Sequence, residues 1–116
     1  MKLRVLLNDA PYGSERTFNG LRLAKSLAMK EGVELHLFLI GDAVGAARAG
    51  QKVPPGYYNT EQMVKSIARR AVSVGVCGTC IDARGIAEAD LVPGCHRGSL
   101  EELTEWTLSA AKVLVF

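Results

Sequence analysis

Apolar residues recur along the chain in short blocks, and the spacing inside each block separates strand from helix. Residues 3–8 (Leu-Arg-Val-Leu-Leu-Asn) form a compact apolar run followed at once by the turn residues Asp9, Pro11 and Gly13, which is the pattern of a buried parallel strand. Phe18, Leu21, Ala24, Leu27 and Ala28 then repeat at helical spacing. Ser14 stands where it can cap that helix and Gly32 where a left-handed C-terminal cap belongs, so a crossover helix is expected over roughly 14–31. A second strand is expected at 33–40, apolar apart from Glu34 and His36, with Gly41-Asp42 ending it. The alanine-rich stretch 43–49 reads as helix, because alanine gives up almost no side-chain entropy there.

The longest irregular stretch, 51–58, contains Pro54-Pro55-Gly56-Tyr57-Tyr58; its tyrosines are expected to pack on their own domain, with a site wall or subunit contact as the alternative. Asn59-Thr60-Glu61-Gln62 forms a capping box that opens a helix, and Met63, Val64, Ile67, Ala68, Ala71 and Val72 make its core face. A brief third strand, 74–77, runs directly into the helix-forming stretch Gly78-Thr79-Cys80-Ile81-Asp82-Ala83-Arg84-Gly85. Leu91-Val92 reads as a short fourth strand ended by Pro93-Gly94. Ser99-Leu100-Glu101-Glu102 is a second capping box; Leu103, Trp106, Thr107 and Ala110 continue its helix, and 112–116 closes the chain as a fifth strand. This alternation predicts an α/β fold: a three-layer α/β/α sandwich around a parallel sheet of about five strands, joined by right-handed crossovers.

With 116 residues, a single domain over 1–116 is expected, long enough to bury a real core. The net charge of +2 is spread thinly, and the nearest basic cluster, Lys65, Arg69 and Arg70, has the helical spacing of a solvated face. Nucleic acid is therefore not expected as a direct ligand. The first apolar run stops at Asn8, short of a signal-peptide core or a membrane span, which points to a cytoplasmic protein with no membrane partner. Two of the three cysteines form Cys77-x-x-Cys80, and in a reducing compartment such a pair suggests redox, catalytic or metal chemistry rather than a staple.

Ligand sites of open parallel sheets lie outside the carboxyl ends of the strands, where backbone N–H groups converge. Cys77 falls at such an end. Unpaired amides of a first helical turn favour its thiolate and can cradle an anionic sulfur species, and Gly78, lacking Cβ, lets the backbone approach a bound group. Cys80, one turn on, is placed to attack a persulfide or mixed disulfide on Cys77, or to serve as a small buried residue. Cys95 also lies near a strand end and is expected either to face the same cleft or to pack. Cys77, Cys80, Cys95 and His96 fit a metal poorly, because adjacent Cys95 and His96 rarely both reach one tetrahedral ion, so no metal and no cofactor is expected. His36 reads as an ordinary strand residue. No glycine-rich phosphate loop and no Ser/His/Asp grouping stands out, which disfavours nucleotide enzymes. Asp82 and Arg84 are placed to bind an anion or partner, or to pair with each other or water, with Arg84 and Gly85 ending the helix.

The stretch Val76-Cys77-Gly78-Thr79-Cys80-Ile81-Asp82-Ala83-Arg84-Gly85 resembles the signature of the DsrE/TusD (DsrE/DsrF-like) sulfur-relay family. So do the opening Asn8-Asp9-Ala10-Pro11-Tyr12-Gly13, the strand end Phe38-Leu39-Ile40-Gly41-Asp42-Ala43-Val44, and the closing stretches from Leu103 to Trp106 and from Lys112 to Phe116. The resemblance implies a Rossmann-like α/β sandwich assembling into homotrimers or hexamers, with Cys77 carrying sulfur as a persulfide between donor and acceptor proteins. On that reading Cys77 and Cys80 are the reactive residues, and Gly78, Thr79, Asn8, Tyr12 and Cys95 the candidates for substrate binding. TusD-type members typically lack a cysteine at the position of Cys80 and work as heteromers, so a relay subunit and a stand-alone protein both remain open. Besides a sulfur carrier, the residues allow a non-catalytic oligomeric binding module or a Cys77/Cys80 dithiol–disulfide protein.

Overall fold

The computed structural model describes residues 1–71 and 73–116. In chain order the elements are β1 (Lys2–Leu7), α1 (Arg16–Ala28), β2 (Glu34–Leu39), a 3-10 helix (Gly41–Ala47), α2 (Thr60–Ala68), β3 (Ser73–Cys77), α3 (Gly78–Ala83), a 3-10 turn (Glu88–Asp90), β4 (Cys95–Gly98), α4 (Leu100–Leu108) and β5 (Lys112–Val115). The five strands form one sheet, order β4-β3-β2-β1-β5, with every neighbouring pair parallel. The α/β sandwich expected from the alternation of patterns is thus the fold observed.

Alternation along the strands sorts side chains onto two faces. Leu3, Val5 and Leu7 of β1, Leu35, Leu37 and Leu39 of β2, and Val74 and Val76 of β3 are buried on one face, where α1, α2 and the 3-10 helix supply Leu21, Ala24, Val64, Ile67 and Val44. The opposite face carries Arg4, His36, Phe38, Gly75, Cys77 and Gly98, and α4 crosses it. The buried Arg4 guanidinium donates to the Trp106 carbonyl (3.0 Å) and the Ser109 hydroxyl (3.2 Å) of that helix. The Trp106 indole meets the edges of His36 and Phe38, with centroids 4.4 and 5.8 Å away.

Gly75 and Gly98 set how closely this second layer sits. A Cβ on Gly75 would lie 2.9 Å from both Glu102 Oε1 and the Phe38 ring, and one on Gly98 would lie 2.7 Å from Phe38 Cε2. The missing methyl groups are filled by a phenyl ring and a carboxylate, and Glu102 in turn holds His96 Nε2 at 2.7 Å. Beyond the reach of α4 the same sheet face stays open: Val115 is 61% exposed, and Val113 is exposed beside it.

Several expectations need correction. Helix α1 begins at Arg16 with Glu15 at the cap position and no bond from the Glu15 side chain; Ser14, one residue earlier, accepts from the Arg16 N–H at 3.5 Å while its hydroxyl donates to Asp9 Oδ2 at 3.1 Å. The alanine-rich stretch is 3-10 rather than α, its Ala43, Val44, Ala46 and Ala47 side chains fully buried. Leu91-Val92 is not a strand of the sheet. Leu91 makes an isolated antiparallel bridge to Arg48, and the Val92 N–H donates to the Ala47 carbonyl at 2.7 Å. These two are apolar because they seal the 3-10 helix. The fourth strand is Cys95–Gly98, and Pro93-Gly94 precedes it rather than ending one. Asn59 and Ser99 do cap α2 and α4, accepting from the N–H groups of Gln62 (3.1 Å) and Glu102 (3.2 Å). Val72, expected on the α2 core face, lies outside the described residues.

Because the space over Gly98 is already filled, Gly98→Ala is expected to destabilise the fold by about 1–3 kcal/mol, the usual cost of overpacking. In chemical denaturation the midpoint should fall with the slope unchanged. An unshifted midpoint would show that α4 can lift away freely.

Candidate functional site

Strand β3 passes into α3 without an intervening residue, and Cys77 is the hinge: last in the strand and cap of the helix. Its carboxyl-edge neighbour in the register is Gly98. A cavity of about 460 Å³ opens there. The Cys77–Cys80 turn makes one wall, Phe38 and Ile40 the floor toward β2, Arg97 and Gly98 the β4 side, and the first turn of α4, from Ser99 to Leu103, the far wall. Cys77 is buried, retaining 9% of its surface, and lines this space.

The two thiols differ electrostatically. Burial, the largest single influence on Cys77, pushes its pKa up; hydrogen bonds from the Cys80 thiol, the Thr79 hydroxyl and the backbone N–H groups of Cys80 and Thr79 act the other way and together hold it below the ordinary thiol value. Thr79 Oγ1 is 3.3 Å from the Cys77 sulfur. Burial and then the neighbouring Cys77 sulfur push Cys80 up, against the Gly41 N–H, which donates to Cys80 Sγ at 3.2 Å. Gly41 directs that N–H from a left-handed turn (φ +59°) at the end of β2. Cys77 is therefore the more acidic thiol of the pair.

Two ion pairs brace the six-residue α3. Arg97 of β4 forks onto Asp82 at 2.8 and 2.7 Å, and Arg84 at the helix end reaches Asp42 at 2.6 Å and the Cys80 carbonyl at 3.0 Å. Asp82 and Arg84 thus pair across elements rather than with each other. Gly85 (φ +65°) ends the helix as expected.

Of the residues singled out in the sequence, Cys77, Gly78, Thr79 and Cys80 line one cavity. The others lie elsewhere. Cys95 starts β4 opposite Val74, at the far end of the β3–β4 pair from Cys77 and on the other sheet face, and burial pushes its thiol up to about 11. Asn8 ends β1 in a separate cleft with Asp9, Arg16, Val115 and Phe116, its carboxamide donating to the Phe116 carbonyl. Tyr12 stacks on Tyr58 beneath the loop carrying Lys52 and Pro54, and its hydroxyl donates to Gln51 Oε1 at 2.6 Å. Tyr58 also stacks on Phe18 with centroids 4.1 Å apart, so it packs on its own domain, while Tyr57 is exposed.

Sequence reasoning missed Arg97, Gly98 and the first turn of α4 as cavity walls. The rule that ligands gather beyond strand carboxyl ends would have found them had Cys95–Gly98 been recognised as the fourth strand, with Ser99 capping directly behind it. Among the described residues, no group of three or more His, Cys, Asp or Glu is arranged to hold a metal ion. No helix among them is long and apolar enough to cross a membrane.

Comparison with known proteins agrees with this geometry. The chain is 48% identical over 116 residues to the protein YchN of Escherichia coli K12, covering 99% of this chain and 98% of that one. It is 34% identical to the uncharacterized protein MJ0989 of Methanocaldococcus jannaschii, over the full length of both. The crystal structure of the E. coli YchN protein superposes with a TM-score of 0.92 over 99% of this chain and 98% of that one. A protein of unknown function from Methanobacterium thermoautotrophicum, 14% identical, shares the fold alone, with a TM-score of 0.74 over 99% of this chain and 97% of that one. The model of the DsrE/DsrF-like family matches residues 1–116, and with these relatives it settles the kinship that the Cys77 turn suggested: the chain belongs to the DsrE/DsrF-like family.

Proposed function

We propose that the protein is a sulfur carrier of the sulfurtransferase type, working in the reducing cytoplasm and holding sulfane sulfur as a persulfide on Cys77. The observation that carries this reading is the place of Cys77, at a strand-to-helix turn lining a cavity large enough for a small reactant or the tip of a partner, with the Thr79 hydroxyl 3.3 Å from its sulfur; its pKa is held below the ordinary value. The Cys77 thiolate attacks the outer sulfur of a donor persulfide: the Cys77–sulfur bond forms, the donor's sulfur–sulfur bond breaks, and its electron pair leaves on the donor thiolate. An acceptor thiolate then attacks the outer sulfur on Cys77, and the Cys77 thiolate is the leaving group. The cycle is redox-neutral and needs no cofactor.

Cys80 supports the carrier by donating to the thiolate. A Cys77/Cys80 disulfide is the second reading, favoured by the two thiols lining one cavity from the same helical turn. A purely non-catalytic binding module fits less well, since such a module has no need of an ionised thiol at the cavity wall. Donor and acceptor are proposed to be proteins, and the open apolar sheet face at Val113 and Val115, with exposed Leu100 and Leu108 on α4, suits self-association. A trimer or hexamer is expected, so sedimentation should give three or six times 12.4 kDa; a monomer at all concentrations would overturn that part of the proposal.

Incubation with a persulfide donor should add one sulfur atom to the intact protein by mass spectrometry. The adduct should vanish in Cys77→Ser and persist in Cys80→Ala; an adduct that survives Cys77→Ser would move the chemistry elsewhere. If instead the two cysteines merely form a disulfide, the mass falls by two hydrogens and no sulfur is gained.

The pH profile of Cys77 alkylation tests the cause of its activation. A thiol held below its ordinary value reaches half-maximal rate at a lower pH than an unperturbed cysteine does. Cys80→Ala removes a donor to the thiolate, so the midpoint is expected to move up. A midpoint unchanged by that substitution would remove Cys80 from the activation.

A further inference from the structure

The cavity wall contains a cation whose placement has no role in holding the thiolate by hydrogen bonds. Among the described residues, Arg97 is the one basic side chain lining the cavity. It sits at the carboxyl end of β4 beside Gly98, the register partner of Cys77. Its guanidinium lies flat against Gly78: a Cβ there would be 2.7 Å from both Arg97 Cζ and Nε. Gly78 is thus glycine because Arg97 occupies the space next to the turn that bears the sulfur.

Asp82 fixes this orientation. Its carboxylate takes one hydrogen from each terminal nitrogen of the fork, at 2.8 and 2.7 Å, and leaves three of the five guanidinium donors for another acceptor. Nε, which Asp82 does not engage, is among the guanidinium atoms nearest Gly78. The Cys77 thiolate is within electrostatic reach of both Arg97 and Arg84, but of the two only Arg97 lines the cavity. The exposed carboxylate of Glu101 stands on the opposite, α4 wall.

We propose that Arg97 admits to the Cys77 cavity a second class of sulfur donor beside partner proteins: small anionic sulfur compounds whose negative group docks on the guanidinium while a neighbouring sulfur meets the thiolate. The inference rests on the sulfur-carrier reading and adds the substrate class to it. With an inorganic polysulfide, the Cys77 sulfur bonds to a sulfane sulfur, one sulfur–sulfur bond breaks, and the shorter polysulfide leaves with the electron pair. Arg97 stabilises the charge on the incoming and departing anion. Arg84, the other arginine of the α3 braces, does not line the cavity and has no such part.

The test compares two alkylating agents of nearly equal size, anionic iodoacetate and neutral iodoacetamide, on Cys77 at low ionic strength. Their rate ratio cancels the thiolate fraction and isolates the local charge. Arg97→Gln is expected to lower the iodoacetate-to-iodoacetamide ratio by about threefold or more, an effect that added salt should erode in the native protein. Arg97→Lys should keep most of the ratio, and Arg84→Gln, which removes a cation outside the cavity, should lower it clearly less than Arg97→Gln. Loading of sulfur from inorganic polysulfide should slow in Arg97→Gln relative to the reaction with a neutral organic trisulfide, in which Cys77 forms a mixed disulfide and a persulfide anion leaves. A ratio insensitive to Arg97→Gln, or an equal fall in Arg84→Gln, would overturn the assignment while leaving the carrier reading intact. A Cys77 inert to both agents and both donors would overturn the two together.

Discussion

In a parallel sheet the register of neighbouring strands decides which side chains meet at the carboxyl edge, and here it sets Cys77 of β3 directly beside Gly98 of β4. Everything about the site follows from that pairing. It brings Arg97 to the flank of the Cys77–Gly78 turn and starts α4 just beyond. It also aligns Gly75 with His96 and stacks the two glycines under Phe38 and Glu102. A slip of one residue would turn every β4 side chain to the other face and put a bulky group where the cavity opens.

The short helix α3 could not hold such a site by itself, since six residues make too few intrahelical bonds to be stable alone. It is held from outside. Arg97 ties it to β4, Arg84 ties its end to Asp42, the Gly41 N–H reaches the Cys80 sulfur, and fully buried Ile81 anchors it to the core. Each contact that braces the helix also touches the thiol pair or the residues next to it, so structure and reactivity share the same few bonds.

The two sheet faces are built unequally. One is sealed by α1, α2 and the 3-10 helix over leucines and valines; the other has α4 alone, seated on glycines and on a buried arginine that bonds to the helix carbonyl. The lightly covered face carries the cavity at one edge and exposed valines at the other. The cavity beside the thiols and the exposed apolar edge thus arise from the same economy in covering the sheet.

By itself the sequence determined the elements with local signals. Periodic leucines marked α1, Asn59 and Ser99 marked the starts of α2 and α4, and the apolar runs marked β1, β2, β3 and β5, which put Cys77 at a strand-to-helix junction. Tertiary structure alone decided the rest. Cys95-His96-Arg97-Gly98 has no apolar pattern because it is an edge strand, held by pairing with the backbone of β3 rather than by its own side chains. Leu91 and Val92, which do look like a strand, are apolar because they cover the 3-10 helix. Strand pairing joins residues distant in the chain, and no local pattern encodes it. For that reason Arg97 came to the sulfur site only with the fold, and Cys95, Asn8 and Tyr12 left it.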